Sequence, residues 1–177
     1  MRIKTYLFIL LAASLLSGHC KKNKTEEQLP PETQTGAGTL GFTIDGTVYK
    51  ANYPDVVATN IYINFPYPNN SGYFFTLSGG KLNKWAIIVL TDSLKIEETH
   101  AYSLSNYRDL AGSAFAKFSD YQKEFYSKPF LAGELRITKL DMINKIVSGT
   151  FWFDAIDTLS NNKVEIRQGR FDLRYTE

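Results

Sequence analysis

The chain has 177 residues, 44% hydrophobic and 14% aromatic, which is enough for one domain with a sizeable core and excludes a disordered protein. Its formal net charge is +2, but two of the 20 basic residues and none of the 18 acidic residues lie among the first 19 residues, so the rest carries 18 charges of each sign. This balance excludes the basic surface that nucleic-acid binding requires, and a single cysteine excludes an intramolecular disulfide.

Residues 1–19 have the features of a signal peptide. Arg2 and Lys4 form the positively charged start, and residues 6–16 form an apolar run too short to span a membrane. The run ends in Leu16-Ser17-Gly18-His19-Cys20, which resembles a bacterial lipobox displaced by one residue. We therefore expect Cys20 to be acylated and to anchor the chain in the cell envelope, at the outer membrane, with plain secretion as the alternative.

Residues 20–37 continue as a polar segment. It contains Pro30 and Pro31 and shows no apolar period, so it buries too little to order itself. We expect a flexible tether with a reach on the order of 50 Å, at ~3.1 Å per residue. A single β domain is then predicted over residues 38–177.

The first strands are predicted on either side of an Asp-Gly turn. Leu40, Phe42 and Ile44 alternate with small or polar residues, which places them on one face of a strand. The dipeptide Asp45-Gly46 follows, and Asp-Gly between two alternating runs is a strong signal for a hairpin with a type I′ turn. The second strand is predicted from Thr47.

The middle of the chain predicts further strands. Residues 61–65 alternate, with Tyr62 facing away from its apolar neighbours, and residues 66–72 have turn chemistry. A strand is predicted over residues 73–77. Residues 85–90 are apolar on both faces, which predicts a central strand with neither face in water.

Residues 92–129 have a less regular pattern. They predict a loop or helical turn, a short strand near Tyr102 and a strand over residues 114–118. Tyr121, Phe125 and Tyr126 lie at roughly helical spacing.

The last third alternates clearly again. Strands are predicted near residues 135–138, 146–153, 164–167 and 171–175, with a turn at Asn161-Asn162. Phe151 and Phe153 are predicted to face the core, and Trp152 to face the other way. The fold class predicted from all these strands is all-β, an antiparallel β-sandwich or a closely related small barrel of about nine or ten strands.

Two stretches of the sequence carry a distinctive pattern. The first is LPPETQTGAGTLGFTIDG over residues 29–46, and the second comprises GELRIT at 133–138, Asp141, SGTFWF at 148–153 and GRF at 169–171. In order and spacing these motifs resemble a family of Bacteroidetes lipoproteins of unknown function. The resemblance implies the same all-β fold and the same envelope location. It transfers no catalytic residue.

Residues suited to catalysis or metal binding are sparse. His100 is the one histidine after residue 19, and its neighbours Glu97 and Glu98 point to alternating sides if the chain is extended, so we predict a solvated loop without metal or cofactor. Asp154 and Asp157 are the one carboxylate pair that suggests glycan hydrolysis. A turn role for Asp157 is simpler, and we predict that the protein is not an enzyme.

The aromatic residues that face away from the core are better candidates for a binding site. Trp152 and Tyr62 are the predicted ligand contacts, because flat aromatic faces stack on sugars and exposed aromatic surface usually has a function. The alternative is that a second sheet or the segment 107–129 covers them. A ladder of alternating charges is predicted to be solvated surface; its members are Glu165, Arg167, Arg170, Asp172 and Arg174.

Three functions remain open from the sequence. The first is a non-catalytic binding module for a glycan, a partner protein or another envelope component. The second is a small barrel that carries an apolar ligand, and the third is a tethered structural protein without a small ligand. The membrane is the predicted partner in all three, through the lipid on Cys20.

Overall fold

The computed structural model describes residues 27–59, 65–67, 70–105 and 112–175, and every regular element within these ranges is a β-strand. None of the described residues belongs to a helix that could cross a membrane. The strands are β1 (Thr39–Ile44), β2 (Thr47–Asn52), β3 (Val56–Thr59), β4 (Phe65–Tyr67), β5 (Asn70–Gly72), β6 (Phe75–Lys81), β7 (Trp85–Asp92), β8 (Ala101–Ser103), β9 (Ser113–Asp120), β10 (Glu124–Tyr126), β11 (Gly133–Asp141), β12 (Ile146–Ile156) and β13 (Lys163–Arg174). These are more strands than predicted, partly because β4, β5 and β10 are too short to show alternation. The residues near Tyr121 that have helical spacing in the sequence lie in β10 and just before it and form no helix.

The sheet curls until its two edges come close together. Its main path is β2-β1-β13-β12-β10-β9-β7-β6-β3, with β11 beside β12 and β8 beside β11, while β4 and β5 pair separately. The edge strands β2 and β3 are joined by residues 53–55 alone, so the edges must lie close together. The N–H of Gly80 in β6 indeed donates to the carbonyl of Asp55 at 3.3 Å. The antiparallel sheet is therefore nearly closed into a barrel-like shape, the second of the two predicted architectures.

The first hairpin forms as predicted. Asp45 and Gly46 have φ angles of 49° and 75°, and two positive φ values are what a type I′ turn requires. Leu40, Phe42 and Ile44 are all buried. Local turn chemistry and alternation therefore agree here with the tertiary structure.

Aromatic rings from distant strands meet in the interior. Phe42 of β1 stacks on Tyr49 of β2, with ring centroids 5.2 Å apart, and meets the edge of Trp85 in β7 at 5.3 Å. The rings of Phe118 in β9 and Phe151 in β12 lie 6.0 and 6.2 Å from the same Phe42 ring. These contacts between opposite parts of the sheet show that side chains fill this part of the interior.

Strand β7 is central, as predicted, but only one of its faces is dry. It lies between β6 and β9, and Trp85, Ile87 and Val89 are buried. Ala86 on the other face is exposed. The prediction that neither face meets water is therefore wrong, because the described residues leave the outer face at Ala86 open to solvent.

A β-bulge allows β13 to run unbroken where the sequence suggests two strands. The register against both β1 and β12 shifts by one residue near Gln168, whose φ is 54°. Ile166 and Phe171 are five positions apart and would face opposite sides of a regular strand, yet both are buried. The bulge therefore returns the apolar residues of β13 to the core.

Replacing Gly169 with alanine is expected to destabilise the protein by about 1–3 kcal/mol. A Cβ atom at Gly169 would lie 2.4 Å from the carbonyl oxygen of Phe151 and 2.5 Å from its ring, so β12 or the ring has to move. Chemical denaturation of both proteins measures the loss. Gln168→Gly is the control, since glycine accepts the positive φ, and it should cost far less than Gly169→Ala.

A strap formed by residues 27–38 crosses the outer face of the sheet. Glu27 to Leu29 line a shallow depression together with the turn Asp45-Gly46, and Pro30 packs against Gly41, where a Cβ would lie 2.4 Å from the proline Cδ. The strap thus runs antiparallel over β1 and reverses where Gly36 and Gly38 have φ of 72° and 73°. The flexible tether expected over residues 20–37 therefore does not include residues 29–37, which are held against the sheet.

Asp172 of β13 fastens the strap. One carboxylate oxygen accepts hydrogen bonds from the N–H of Gly36 at 2.7 Å and the hydroxyl of Ser148 at 2.8 Å. The other accepts from the hydroxyl of Thr33 at 2.6 Å, from the N–H and the hydroxyl of Thr35, and from the N–H of Ala37. The interpretation of Asp172 as a solvated member of a charge ladder is wrong, because the strap covers it and leaves it 0% exposed.

These hydrogen bonds keep Asp172 ionised although it is buried. Burial raises the pKa of a carboxyl, but the bonds from Thr33, Thr35, Ser148 and Gly36 outweigh burial and hold the pKa of Asp172 well below its usual range. A carboxylate with several donors is a strong acceptor. Asp172 therefore ties the start of the domain to its last strand.

Two of the residues singled out by the sequence, Cys20 and Tyr62, lie outside the described residues. Their roles in lipidation and ligand contact stay predictions.

Candidate functional site

Trp152 points out of the barrel from the middle of β12. Its neighbours Phe151 and Phe153 are 2% and 0% exposed, as predicted for core residues, and alternation turns the indole to the opposite face. The Trp152 side chain is 38% exposed. A large aromatic ring in partial contact with water is therefore built into a rigid strand.

Arg167 holds the indole from one side. Its guanidinium carbon lies 5.5 Å from the centre of the Trp152 ring, a cation–π distance. The guanidinium is itself fixed by Asp154 at 2.6 Å and Glu165 at 2.8 Å, and it donates to the carbonyl of Ile166 at 3.0 Å. Phe153 pairs with Ile166, so the register of β12 and β13 places Arg167 opposite Trp152 on the outer face.

An open groove begins at Trp152 and continues towards β8. Its volume is about 550 Å³, and its walls are β8, the segment between β10 and β11, and the start of β11. The residues that line it are Ala101, Tyr102, Ser103, Ser105, Pro129, Phe130, Leu131, Ala132, Gly133, Glu134 and Trp152. Its mixture of apolar and polar groups can contact a small ligand that lies along the surface.

The groove presents chemistry of two kinds. Phe130 is 72% exposed and offers a second aromatic surface besides Trp152. Glu134 pairs with Trp152 across the strands β11 and β12 and carries a carboxylate, which accepts a hydrogen bond from Arg136 at 3.2 Å. The hydroxyls of Ser103 and Ser105 bond to one another at the far wall. Apolar faces flanked by hydroxyls and a carboxylate match the two-sided chemistry of a sugar.

The backbone on both sides of the groove is secured. The N–H of Leu104 donates to the carbonyl of Gly133 at 2.9 Å, and the N–H of Asp154 donates to the carbonyl of Ala132 at 2.8 Å. These bonds attach the segment that carries Phe130 to its neighbours. The groove is therefore preformed, which lowers the entropy cost of binding.

Asp154 and Asp157, the carboxylate pair of the hydrolase hypothesis, both accept hydrogen bonds from neighbouring groups. Burial raises the pKa of Asp154, but hydrogen bonds from Lys163 and Arg167 outweigh it and lower that pKa overall. Hydrogen bonds from the Ser160 hydroxyl and the N–H of Leu159 lower the pKa of Asp157, which closes the turn after β12. A glycosidase needs one carboxyl with a raised pKa as its acid, and both of these are lowered.

The loop around His100 shows contacts of a structural kind. The imidazole packs on the ring of Tyr102, with centroids 4.7 Å apart, and the Glu98 carboxylate accepts the N–H of Leu140 at 2.9 Å. Within the described ranges, no three His, Cys, Asp or Glu residues come together in a way that could hold a metal ion.

Sequence reasoning missed Phe130 and Arg167 as parts of this site. Phe130 lies in the irregular region before β11, where no periodicity indicates which way a side chain points. Arg167 was assigned to a solvated ladder, and its ion pairs with Asp154 and Glu165 agree with that assignment. Its contact with Trp152 depends on the pairing register of β12 and β13, which the pattern of either strand alone does not show.

Comparison with known proteins finds one family. Residues 37–172 match a family described as a domain of unknown function, DUF6252. Neither a curated protein nor a solved structure matches the chain.

Proposed function

We propose that this chain, which belongs to the DUF6252 family through residues 37–172, is a Bacteroidetes-type lipoprotein anchored at the outer membrane through Cys20. We propose further that its barrel binds a carbohydrate without transforming it. The groove between Trp152 and Phe130 is the proposed binding site. The single observation that carries this proposal is an indole 38% exposed in a strand whose neighbouring residues are core.

A carbohydrate fits the groove better than the other ligands considered. Sugars have apolar C–H faces that lie flat on aromatic rings and hydroxyls that exchange hydrogen bonds with carboxylates and serines. Trp152, Phe130, Glu134 and Ser103 supply these groups along one groove. An apolar ligand inside the barrel is less favoured, because the rings of Phe42, Phe151 and their neighbours occupy that interior.

The anchor rests on the sequence before the domain. A positively charged start and an apolar run of limited length precede Cys20, and two acyl chains bind a membrane stably. Mass spectrometry of the mature protein tests this part directly. A free thiol at Cys20, or a chain cleaved elsewhere, would contradict it.

Trp152→Ala is expected to weaken glycan binding at least about tenfold while leaving the fold intact. Truncation of an aromatic anchor in a binding site costs ~2 kcal/mol or more, and ~1.4 kcal/mol corresponds to a tenfold change in Kd. The measurement begins with a glycan array on a soluble chain starting at Glu27, which keeps the strap, followed by calorimetry with the best glycan. At ~100 times its Kd the glycan should also add ~2.7 kcal/mol to the free energy of unfolding.

The matched control is Tyr121→Ala, which removes another exposed aromatic side chain, 75% exposed and away from the groove. It should leave the Kd unchanged. If no glycan binds the wild-type chain, or if both variants weaken binding equally, the carbohydrate proposal fails, and a partner protein becomes the ligand to search for.

A further inference from the structure

Three hairpin tips lie side by side at one end of the barrel. They are the β6–β7 turn at residues 82–84, the β9–β10 turn at 121–123 and the β12–β13 turn at 157–162. The N–H of Tyr121 donates to the carbonyl of Lys84 at 3.2 Å, which joins the first two. Tyr126 of β10 pairs with Ile156, the last residue of β12, which places the second tip beside the third.

Each tip exposes one large apolar side chain. Leu82 is 91% exposed, Tyr121 75% and Leu159 96%. Any one of them alone is ordinary for a protein surface. Three adjacent tips that each end in such a residue form an apolar surface that calls for a partner.

Lysines surround these apolar tips. Lys81, Lys84 and Lys123 are exposed there. Acidic groups lie beside them: the exposed Asp120 carboxylate accepts the N–H groups of Gln122 and Lys123, and Glu124 forms an ion pair with Lys117. The outward surface is therefore apolar with a border of mixed charge, whose lysines can extend towards the phosphates of a lipid surface.

The strap brings the chain to the same end. Glu27 lies beside the Asp45-Gly46 turn, and Ile44 just before this turn pairs with Ile166, near the start of β13. Cys20 precedes Glu27 by seven residues, which span at most about 25 Å at ~3.3–3.6 Å each. An anchor at Cys20 would thus hold this end of the barrel close to the membrane.

We propose that the tips carrying Leu82, Tyr121 and Leu159 form a docking surface that rests on the anionic membrane holding Cys20. The leucines enter the boundary between headgroups and acyl chains, and the lysines approach the lipid phosphates. This inference rests on the proposed lipid anchor, but it does not depend on carbohydrate binding in the Trp152 groove.

The test places a fluorescent label at either end of the same strand. Leu159→Cys lies just beyond the end of β12, and Ile143→Cys lies just before its start, in a turn where Ile143 is 92% exposed. Acylation occupies Cys20, so each variant has one reactive thiol. An environment-sensitive dye is attached to the mature lipidated protein, which is then reconstituted in vesicles of phosphatidylethanolamine and phosphatidylglycerol.

We expect blue-shifted emission and quenching by brominated lipids at Leu159→Cys, and water-like emission at Ile143→Cys. Equal emission from the two labels on protein that floats with the vesicles overturns the docking surface and leaves the anchor intact. Protein that does not float overturns the anchor and the docking surface together. Glycan binding by the soluble chain is a separate measurement, so its failure is distinguishable from both.

Discussion

Asp172→Asn is expected to destabilise the protein by about 3–5 kcal/mol, because at least two buried donors lose their acceptor and each one left unsatisfied costs ~1–3 kcal/mol. The substitution preserves shape but replaces one acceptor oxygen by a donor. Each carboxylate oxygen accepts at least two hydrogen bonds, from Gly36 and Ser148 on one side and from Thr33, Thr35 and Ala37 on the other. Whichever way the amide turns, its NH₂ group faces other donors. Chemical denaturation measures the effect.

A shortened chain shows whether the strap is the source of this stability. A chain starting at Gly38 lacks five of the six hydrogen bonds to the Asp172 carboxylate and keeps only the one from Ser148. Asp172 is then exposed to water, and Asp172→Asn should lower the free energy of unfolding by less than about 1 kcal/mol. The difference between the two chains, a coupling free energy of at least about 2 kcal/mol, measures the interaction between the strap and Asp172. Equal costs in both chains would show that the strap contributes nothing.

The pH dependence gives an independent check on Asp172. The folded pKa lies below the ordinary value of ~3.9, so the stabilisation is complete above pH ~4 and declines as the pH falls towards the lowered pKa. The stability difference between wild type and Asp172→Asn should therefore narrow below pH ~4. Asp141→Asn is the comparison, since that carboxyl closes an exposed turn and should have a small effect.

Phe151→Ala is expected to cost a similar amount, about 3–5 kcal/mol, because it removes buried apolar area and leaves a cavity behind. The ring is 2% exposed and lies 6.2 Å from Phe42, 6.4 Å from Phe153 and 6.5 Å from Phe171, so its removal opens a space between β1, β12 and β13. Thermal and chemical unfolding both report the change.

The adjacent residue provides the control for Phe151. Trp152→Ala removes a larger side chain, but one that is 38% exposed, and its cation–π interaction with Arg167 is worth ~0.5–1 kcal/mol at exposed sites. This substitution should cost far less than Phe151→Ala. If Trp152→Ala were the more destabilising of the two, the assignment of faces along β12 would be inverted.

Where the determinants are local, the sequence predicted the structure well. The Asp45-Gly46 turn depends on two residues that accept positive φ, and the inward positions of Phe151 and Phe153 depend on simple alternation. The sequence did not decide between a β-sandwich and a barrel, because closure depends on the curvature that brings the edge strands β2 and β3 together.

The strap escaped prediction because its order comes from a distant residue. Its composition is polar and aperiodic, like that of a linker, and its stability comes from backbone and hydroxyl donors that converge on one carboxylate more than 130 positions away. Asp172 was assigned to the outer face correctly, but nothing in β13 indicates that another segment covers it. Only one side of the Trp152 groove could be predicted for the same reason. The outward direction of the indole follows from alternation along β12, whereas the position of Phe130 depends on tertiary contacts.

Pairing between the first and the last described strands has a consequence for biosynthesis. β1 lies between β2 and β13, and the strap closes only when Asp172 is present, so neither can be completed until residue 172 has emerged. Contacts across such sequence separations form slowly. If the chain is exported from its amino end, as the proposed anchor requires, the barrel therefore cannot close until almost all of the chain has crossed the membrane. Until then β1 lacks one of its two neighbouring strands, and such an unpaired strand edge is prone to aggregation unless a chaperone covers it.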